Sequence, residues 1–303
     1  LEENGYNVVA VVTQPDKPVG RHGSVLRASA VKEYALEHGL PVLQPVKMKD
    51  PEFIEQLRSY KADLQVVVAF RMLPEVVWDM PRFGTFNVHA ALLPQYRGAA
   101  PINWAVINGE TKTGVTTFFL DHDIDTGRII MQREFPIPDD ADVEYVYDGL
   151  MELGAGICQD TVDLVISTDG NVPSQPQRED IELKAAPKIF KETCQIDWNN
   201  NAKRIYDFVR GLSPYPGTWT TLASNSETEK TDASVMKIFK TAKTGTSCAG
   251  VAPGTLKTES NHLLVATNDE WLDIVELQAA GKKRMAARDF LNGFKHIADM
   301  HMK

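Results

Sequence analysis

Apolar runs in the first half of the chain come in two kinds, and their alternation sets the expected architecture. VVAVVT from Val8, LQVVVAF from Leu64 and TFNVHA from Thr85 are short and β-rich. They alternate with stretches of helical period, such as SVLRASAVKEYALEHG from Ser24 and PEFIEQLRSYKA from Pro51. Near-continuous apolar strands separated by helices predict a parallel sheet covered on both faces. VTTFFL from Val115 and RIIMQREFPI from Arg128 follow with no helix between them, so a hairpin-related pair is expected at one side and the sheet is mixed. Val143, Val146, Leu150, Leu153, Ile157, Val162 and Val165 recur at helical spacing, which predicts one long helix over residues 143–166.

After that helix the pattern dissolves. STDGNVPSQPQREDIELKAAP from Ser167 is rich in Pro, Ser, Asp and Gln, as suits an interdomain linker. NNAKRIYDFVRG from Asn200 predicts a helix, and TWTTL from Thr218, SVMKIFK from Ser234, GTLK from Gly254, HLLVAT from His262 and WLDIVELQ from Trp271 predict five short strands. Strands at such regular spacing indicate a small β-barrel or sandwich. SNSETEKTDAS from Ser224 reads as an exposed loop between two of them. The expected domains are residues 1–168, a linker over 169–190, and residues 191–303.

Composition narrows the classes. At 303 residues the chain exceeds the usual size of one core, and its 43% hydrophobic and 24% charged residues are ordinary for a globular protein. No apolar run approaches the roughly 20 residues of a membrane-spanning helix, so no membrane segment is expected. The opening LEENGYNVVAVVT does not read as a signal peptide. Cys158, Cys194 and Cys248 are widely spaced and odd in number, which argues for a reducing cytoplasmic setting over a disulfide framework or a structural zinc site. The net charge of −9 disfavours a generic nucleic-acid binder, but it is unevenly spread. Residues 1–190 carry 17 basic against 28 acidic side chains, and residues 191–303 carry 15 against 13, which permits a local polyanion contact.

Candidate chemistry starts at Asn87 and His89. Two residues apart on a strand, they point to one side, at the strand end where ligands settle in α/β sheets. An amide that can donate to a developing oxyanion, beside an imidazole that moves protons near neutral pH, suits acyl transfer. The same pair also occurs in strands for packing or as surface. TGVTTFFLDHDIDTGRII from Thr113 brings Asp121, Asp123 and Asp125 into a turn between two apolar strands. A calcium reading fails there, because Thr126 stands where glycine is needed and Gln132 where a bidentate glutamate is expected, so no metal is assigned. The turn is either a solvated acidic one or the source of a carboxylate that orients His89 or a water. There is no G-x-S-x-G, no P-loop and no G-x-G-x-x-G, and Cys158 falls on the apolar side of the long helix, as an inert thiol would.

These residues carry a resemblance. NVHAALLPQYRGAAPINWAVINGE from Asn87 and TGVTTFFLDHDIDTG from Thr113 resemble the methionyl-tRNA formyltransferase family. VTQPDKPVGR from Val12, AFRMLP from Ala69, the pair Asp197 and Trp198, PYPG from Pro214 and GKKRM from Gly281 support it along nearly the whole chain. The resemblance implies a Rossmann-like α/β domain with a mixed, mostly parallel sheet, joined to a small carboxyl-terminal OB-like β-barrel. It implies a cytoplasmic enzyme, expected as a monomer, that moves a formyl group from 10-formyltetrahydrofolate to the α-amine of methionine on initiator tRNA, without a metal.

Position by position, it implies that Asn87, His89 and Asp125 are catalytic. It assigns tetrahydrofolate binding to Ala91, Leu92, Leu93 and Pro94, the pterin loop to Arg71, Met72 and Leu73, and the facing wall to Asp121, Asp123 and Asp125. Ala91 stands where the family usually has serine, and one β-α unit of the family pattern is expected to be missing ahead of Leu1. QPDKPVGRHGSVLR from Gln14 matches a tRNA-contacting insertion, with Lys17, Arg21 and Arg27 as its cations; the alternative is a solvated loop. Lys203, Arg204 and Arg210, and Lys282, Lys283 and Arg284, are further phosphate candidates, Arg210 equally a structural residue beside PYPG. Two competing readings are a formyltransferase acting on a small amine, such as glycinamide ribonucleotide or a nucleotide-linked amino sugar, and a noncatalytic tRNA-binding protein.

Overall fold

The computed structural model describes residues 1–226 and 233–303, apart from the side chain of Arg21, so the centre of the tract expected as a loop after Ser224 lies outside the described residues. In chain order the first elements are β1 (Val11–Val12), β2 (Lys17–Val19), β3 (Val25–Arg27), α1 (Ala30–Glu37), β4 (Val42–Leu43), α2 (Pro51–Ser59), β5 (Gln65–Val68), α3 (Glu75–Trp78) and β6 (Thr85–His89). Then come β7 (Arg97–Gly98), α4 (Pro101–Ile107), β8 (Lys112–Phe119), β9 (Ile129–Pro136), α5 (Val143–Ser167), β10 (Ala185–Ala186) and α6 (Ala202–Gly211). The last are β11 (Thr218–Ser224), β12 (Ser234–Ser247), β13 (Leu256–Glu259), β14 (His262–Ala266), β15 (Glu270–Ala279), β16 (Met285–Ala286), α7 (Ala287–Gly293) and β17 (Met300–Met302). Contacts group Leu1–His89, Thr116–Gln132 and Ala155–Gln177 into one compact unit, and Ala90–Val115, Arg133–Gly154 and Arg178–Lys303 into a second.

In the first unit β1 runs parallel to β4 and β5 parallel to β6. β8 joins β6 antiparallel, with Asn87 opposite Phe118 and His89 opposite Thr116, and the sheet order is β5-β6-β8-β9. The sheet is therefore mixed, as the absence of a helix between β8 and β9 predicts. Thr117 points to the other face, where its hydroxyl meets that of Thr161 on α5 at 2.9 Å in a fully buried contact. Since strand side chains alternate, α5 covers the face of Val88 and Thr117, and Asn87, His89, Thr116 and Phe118 share the opposite face. α2 starts where Asp50 accepts from the amide of Glu52 and Pro51 fills the first turn; it buries Phe53 and Leu57 against Leu43, Met48 and Val77.

One expected helix starts later than its apolar pattern suggests. Residues 25–27 form β3, which pairs antiparallel with β2, and α1 begins only after Ser29, whose hydroxyl caps the amide of Lys32 at 3.2 Å. Val25 and Leu26 are 58% and 70% exposed, so they never form the buried stripe that a helix through them would need. The helix over residues 143–166 is observed at Val143–Ser167, with Val146, Leu150, Ile157, Val162 and Val165 buried as the periodicity requires.

The carboxyl-terminal part of the second unit is an antiparallel barrel in the order β13-β14-β15-β12-β11-β17, with β16 on β15. A bridge between Thr255 and His301, and the Met302 amide donating to the Gly254 carbonyl at 2.9 Å, bring the two ends of this order together. The core is filled by Leu222, Met236, Ile238, Leu263, Val265, Leu272, Ile274 and Leu277, with Ile205 and Val209 of α6 packed on it. All five expected strands are present; β16 and β17, of two and three residues, are too short to leave a period-two signal.

Candidate active site

β6 ends at His89, and the pleat sets Asn87 and His89 on one face. His89 is 7% exposed, and its ring meets the ring of Phe118 edge-on with centroids 6.3 Å apart. Asn87 is half-buried, and its Oδ1 is fully buried with no hydrogen-bond partner among the described residues. A buried amide oxygen in that state carries a desolvation cost of about 1 to 3 kcal/mol that an incoming N–H recovers, and a half-turn of the amide presents a donor at the same point.

The loop from β8 to β9 brings in the carboxylate. Oδ2 of Asp125 lies 3.8 Å from Nδ1 of His89, and both side chains are nearly buried. That distance exceeds a direct hydrogen bond. Asp125 has a left-handed backbone, φ 57°, which aspartate adopts more readily than most residues. Its carbonyl and that of Gly127 both accept from Nε2 of Gln177, at 2.7 and 2.8 Å. Asp121 and Asp123 are exposed and shape the turn: Oδ1 of Asp121 accepts from the Asp123 amide at 2.9 Å and the Thr126 hydroxyl at 3.0 Å.

Of the expected pterin loop, Arg71 donates to the carbonyls of Pro45 and Val46 at 2.7 and 2.8 Å, and its Nε is buried with no hydrogen-bond partner among the described residues. Leu73 packs on the cluster around Phe53, and Met72 is 67% exposed. Ala91, Leu92, Leu93 and Pro94 follow His89 and Ala90 in the chain and belong to the second unit, where Ala91 and Leu93 are buried.

The expected tRNA cations divide. Lys17 and Arg27 are exposed and stand directly opposite each other in the β2–β3 hairpin; the side chain of Arg21 lies outside the described residues. Arg210, by contrast, is buried: it pairs with Asp207 at 2.8 Å and donates to the Ala141 carbonyl at 2.9 Å, so its surroundings support the structural one of its two expected roles. Lys203 pairs with the other oxygen of Asp207 at 2.5 Å, and Arg284 with Glu276, while Lys282 and Lys283 are exposed. Sequence reasoning missed Gln177, which sits in the tract read as a linker, and Asp207, whose polar side chain gives no sign of its burial.

A Rossmann-like mixed sheet with an amide and an imidazole on one face of a strand and a carboxylate brought in by a neighbouring loop, followed by an antiparallel barrel, is the architecture of a formyl-transferring enzyme. The chain belongs to the formyl transferase family: the model of the formyl transferase domain matches residues 1–162, and that of the formyl transferase C-terminal domain matches residues 188–295. It is 59% identical to the methionyl-tRNA formyltransferase of Parabacteroides distasonis, over 99% of this chain and 92% of that one. With the methionyl-tRNA formyltransferase of Bacteroides fragilis the identity is 56%, over 100% and 92%. Among solved structures, the fold is shared with WlaRD, a sugar 3N-formyl transferase solved in the presence of dTDP and 5-N-formyl-THF, at a TM-score of 0.60 and 16% identity, over 92% of this chain and all of that one.

Proposed function

We propose that this chain transfers the formyl group of 10-formyltetrahydrofolate to the free α-amino group of methionine on initiator tRNA, the step that prepares it for translation initiation. The observation that carries the reading is the placement of Asn87 and His89 on one sheet face with Asp125 3.8 Å from the ring. The 59% identity to a methionyl-tRNA formyltransferase supports the acceptor.

An α-amine has a pKa of about 8, so part of it is protonated at neutral pH and it must lose a proton before it attacks. That first proton goes to solvent; as the free amine attacks and the new C–N bond forms, His89 takes the second proton its nitrogen sheds, and Asp125 stabilises the resulting imidazolium by its charge. Asn87 meets the reacting centre with an amide that has an unsatisfied end: Oδ1 accepts an N–H of the incoming amine, or, turned over, Nδ2 donates to the formyl oxygen as charge develops there. The proton held at His89 then passes toward the departing folate nitrogen. The bound folate supplies the formyl carbon; Arg71, Met72, Leu73 and the loop carrying Asp121, Asp123 and Asp125 are the residues proposed to hold it in the first unit. Lys17, Arg21 and Arg27 are proposed as tRNA phosphate contacts.

The enzyme is expected to act as a cytoplasmic monomer; its three cysteines are free, and among the described residues no helix is long and apolar enough to cross a membrane. The test offers Met-tRNA and small amines, including glycinamide ribonucleotide and a nucleotide-linked amino sugar, side by side with the formyl donor. Formylation of Met-tRNA supports the reading. Formylation of the small amines alone overturns it.

A further inference from the structure

We infer that Gln177 is a positioning residue for formyl transfer, holding the Asp125 carboxylate beside His89 through the backbone of the loop between β8 and β9. The inference rests on the role given above to Asp125. A left-handed backbone at a residue other than glycine persists only where its surroundings over-determine it, and Asp125, at φ 57°, is such a residue. The Nε2 group of Gln177 has two hydrogens, and it meets two carbonyls, those of Asp125 at 2.7 Å and Gly127 at 2.8 Å. These two carbonyls flank Thr126, so a single amide fixes the turn on both sides of it.

Two further features hold the loop in register. A Cβ at Gly127 would overlap the carbonyl oxygen of Phe119, so the loop backbone lies flat against the end of β8. Beyond it, Ile129 and Gln175 exchange a pair of backbone hydrogen bonds at 2.8 and 2.9 Å, and the Arg128 guanidinium donates to the hydroxyl and carbonyl of Ser174 at 2.9 and 2.7 Å. Residues 174–177, polar enough to read as a tether, thus brace the loop that carries the carboxylate. Gln177 is the member whose side chain reaches Asp125 itself. Removing its amide takes this shared donor from the Asp125 and Gly127 carbonyls and loosens the turn that sets the carboxylate beside the ring.

The experiment is a double-mutant cycle on the full chain with Gln177→Leu, Asp125→Asn and the two combined, read as kcat and KM for Met-tRNA with thermal unfolding alongside. Gln177→Leu is expected to lower kcat by about 10- to 100-fold, the effect of misplacing a reacting group by about an ångström. The KM for Met-tRNA is expected to stay within about twofold, and the combined variant to be no slower than Asp125→Asn alone, because both changes remove one contribution. Gln177→Asn keeps the amide but draws it back by one methylene; it gives a second entry into the same cycle if the leucine variant folds poorly, with a smaller kcat loss expected. An unchanged kcat in either Gln177 variant while Asp125→Asn is slow, or losses that multiply in the combined variant, overturns this inference and leaves the role of Asp125 standing. An Asp125→Asn protein with unaltered kcat overturns that role, and this inference with it.

Discussion

Nδ1 of His89 and Oδ2 of Asp125 stand 3.8 Å apart, although one residue closes β6 and the other lies in the loop between β8 and β9. Both side chains are nearly buried, so their interaction is little screened by water. In the proposed mechanism the Asp125 charge supports His89 while it handles the proton of the amine. Asp125→Asn keeps the shape and removes the charge. It is expected to reduce kcat by at least about tenfold with the KM for Met-tRNA nearly unchanged, as steady-state kinetics at saturating folate will show.

Asn87 offers a different signature. Its buried Oδ1 has no partner among the described residues, so the residue costs stability in the free protein. Asn87→Leu is expected to leave the unfolding midpoint unchanged or higher while slowing formyl transfer by about 100- to 1,000-fold. Thermal denaturation beside turnover measures both, and a variant that loses stability but keeps activity would contradict the role of the amide.

The β2–β3 hairpin sets Lys17 directly opposite Arg27, a like-charge pair that is unfavourable in the free protein. A polyanion relieves it. Lys17→Ala and Arg27→Ala are each expected to weaken Met-tRNA binding and to reduce the slope of log affinity against log salt by about one, with no loss of thermal stability. A salt titration of binding decides this, and unaltered slopes would return the hairpin to an ordinary solvated loop.

Arg210 is expected to behave in the opposite way. Its guanidinium is buried with Asp207 and the Ala141 carbonyl, so Arg210→Ala leaves a buried carboxylate without this partner and is expected to destabilise the protein by about 3 to 5 kcal/mol. Chemical denaturation measures it. A near-normal stability combined with weakened tRNA binding would assign Arg210 to the phosphate contacts instead.

Much of this architecture was legible in the chain itself, and where it was not the reason is physical. The long helix over Val143–Ser167 announced itself because its buried side chains recur at 3.6-residue period through several turns. Asn87 and His89 could be paired because strand alternation fixes their common side without any long-range information. The helix expected from Ser24 failed at its start because Val25 and Leu26 serve an exposed hairpin, which an apolar pattern cannot distinguish from a buried stripe. Gln177 was hidden for a different reason. Its tract is polar in composition, and only the folded backbone brings it to Asp125 from a distant position in the chain. The burial of Arg210 was equally silent, since it depends on carbonyls of residues 138 and 141 that no local pattern links to α6.

The most direct measurement is single-turnover formyl transfer to Met-tRNA by the wild-type chain and by His89→Ala, with tRNA affinity determined on the same preparations. The account predicts a rate lowered by about 100- to 10,000-fold with tRNA binding retained. A His89→Ala protein that transfers the formyl group at the wild-type rate would contradict it.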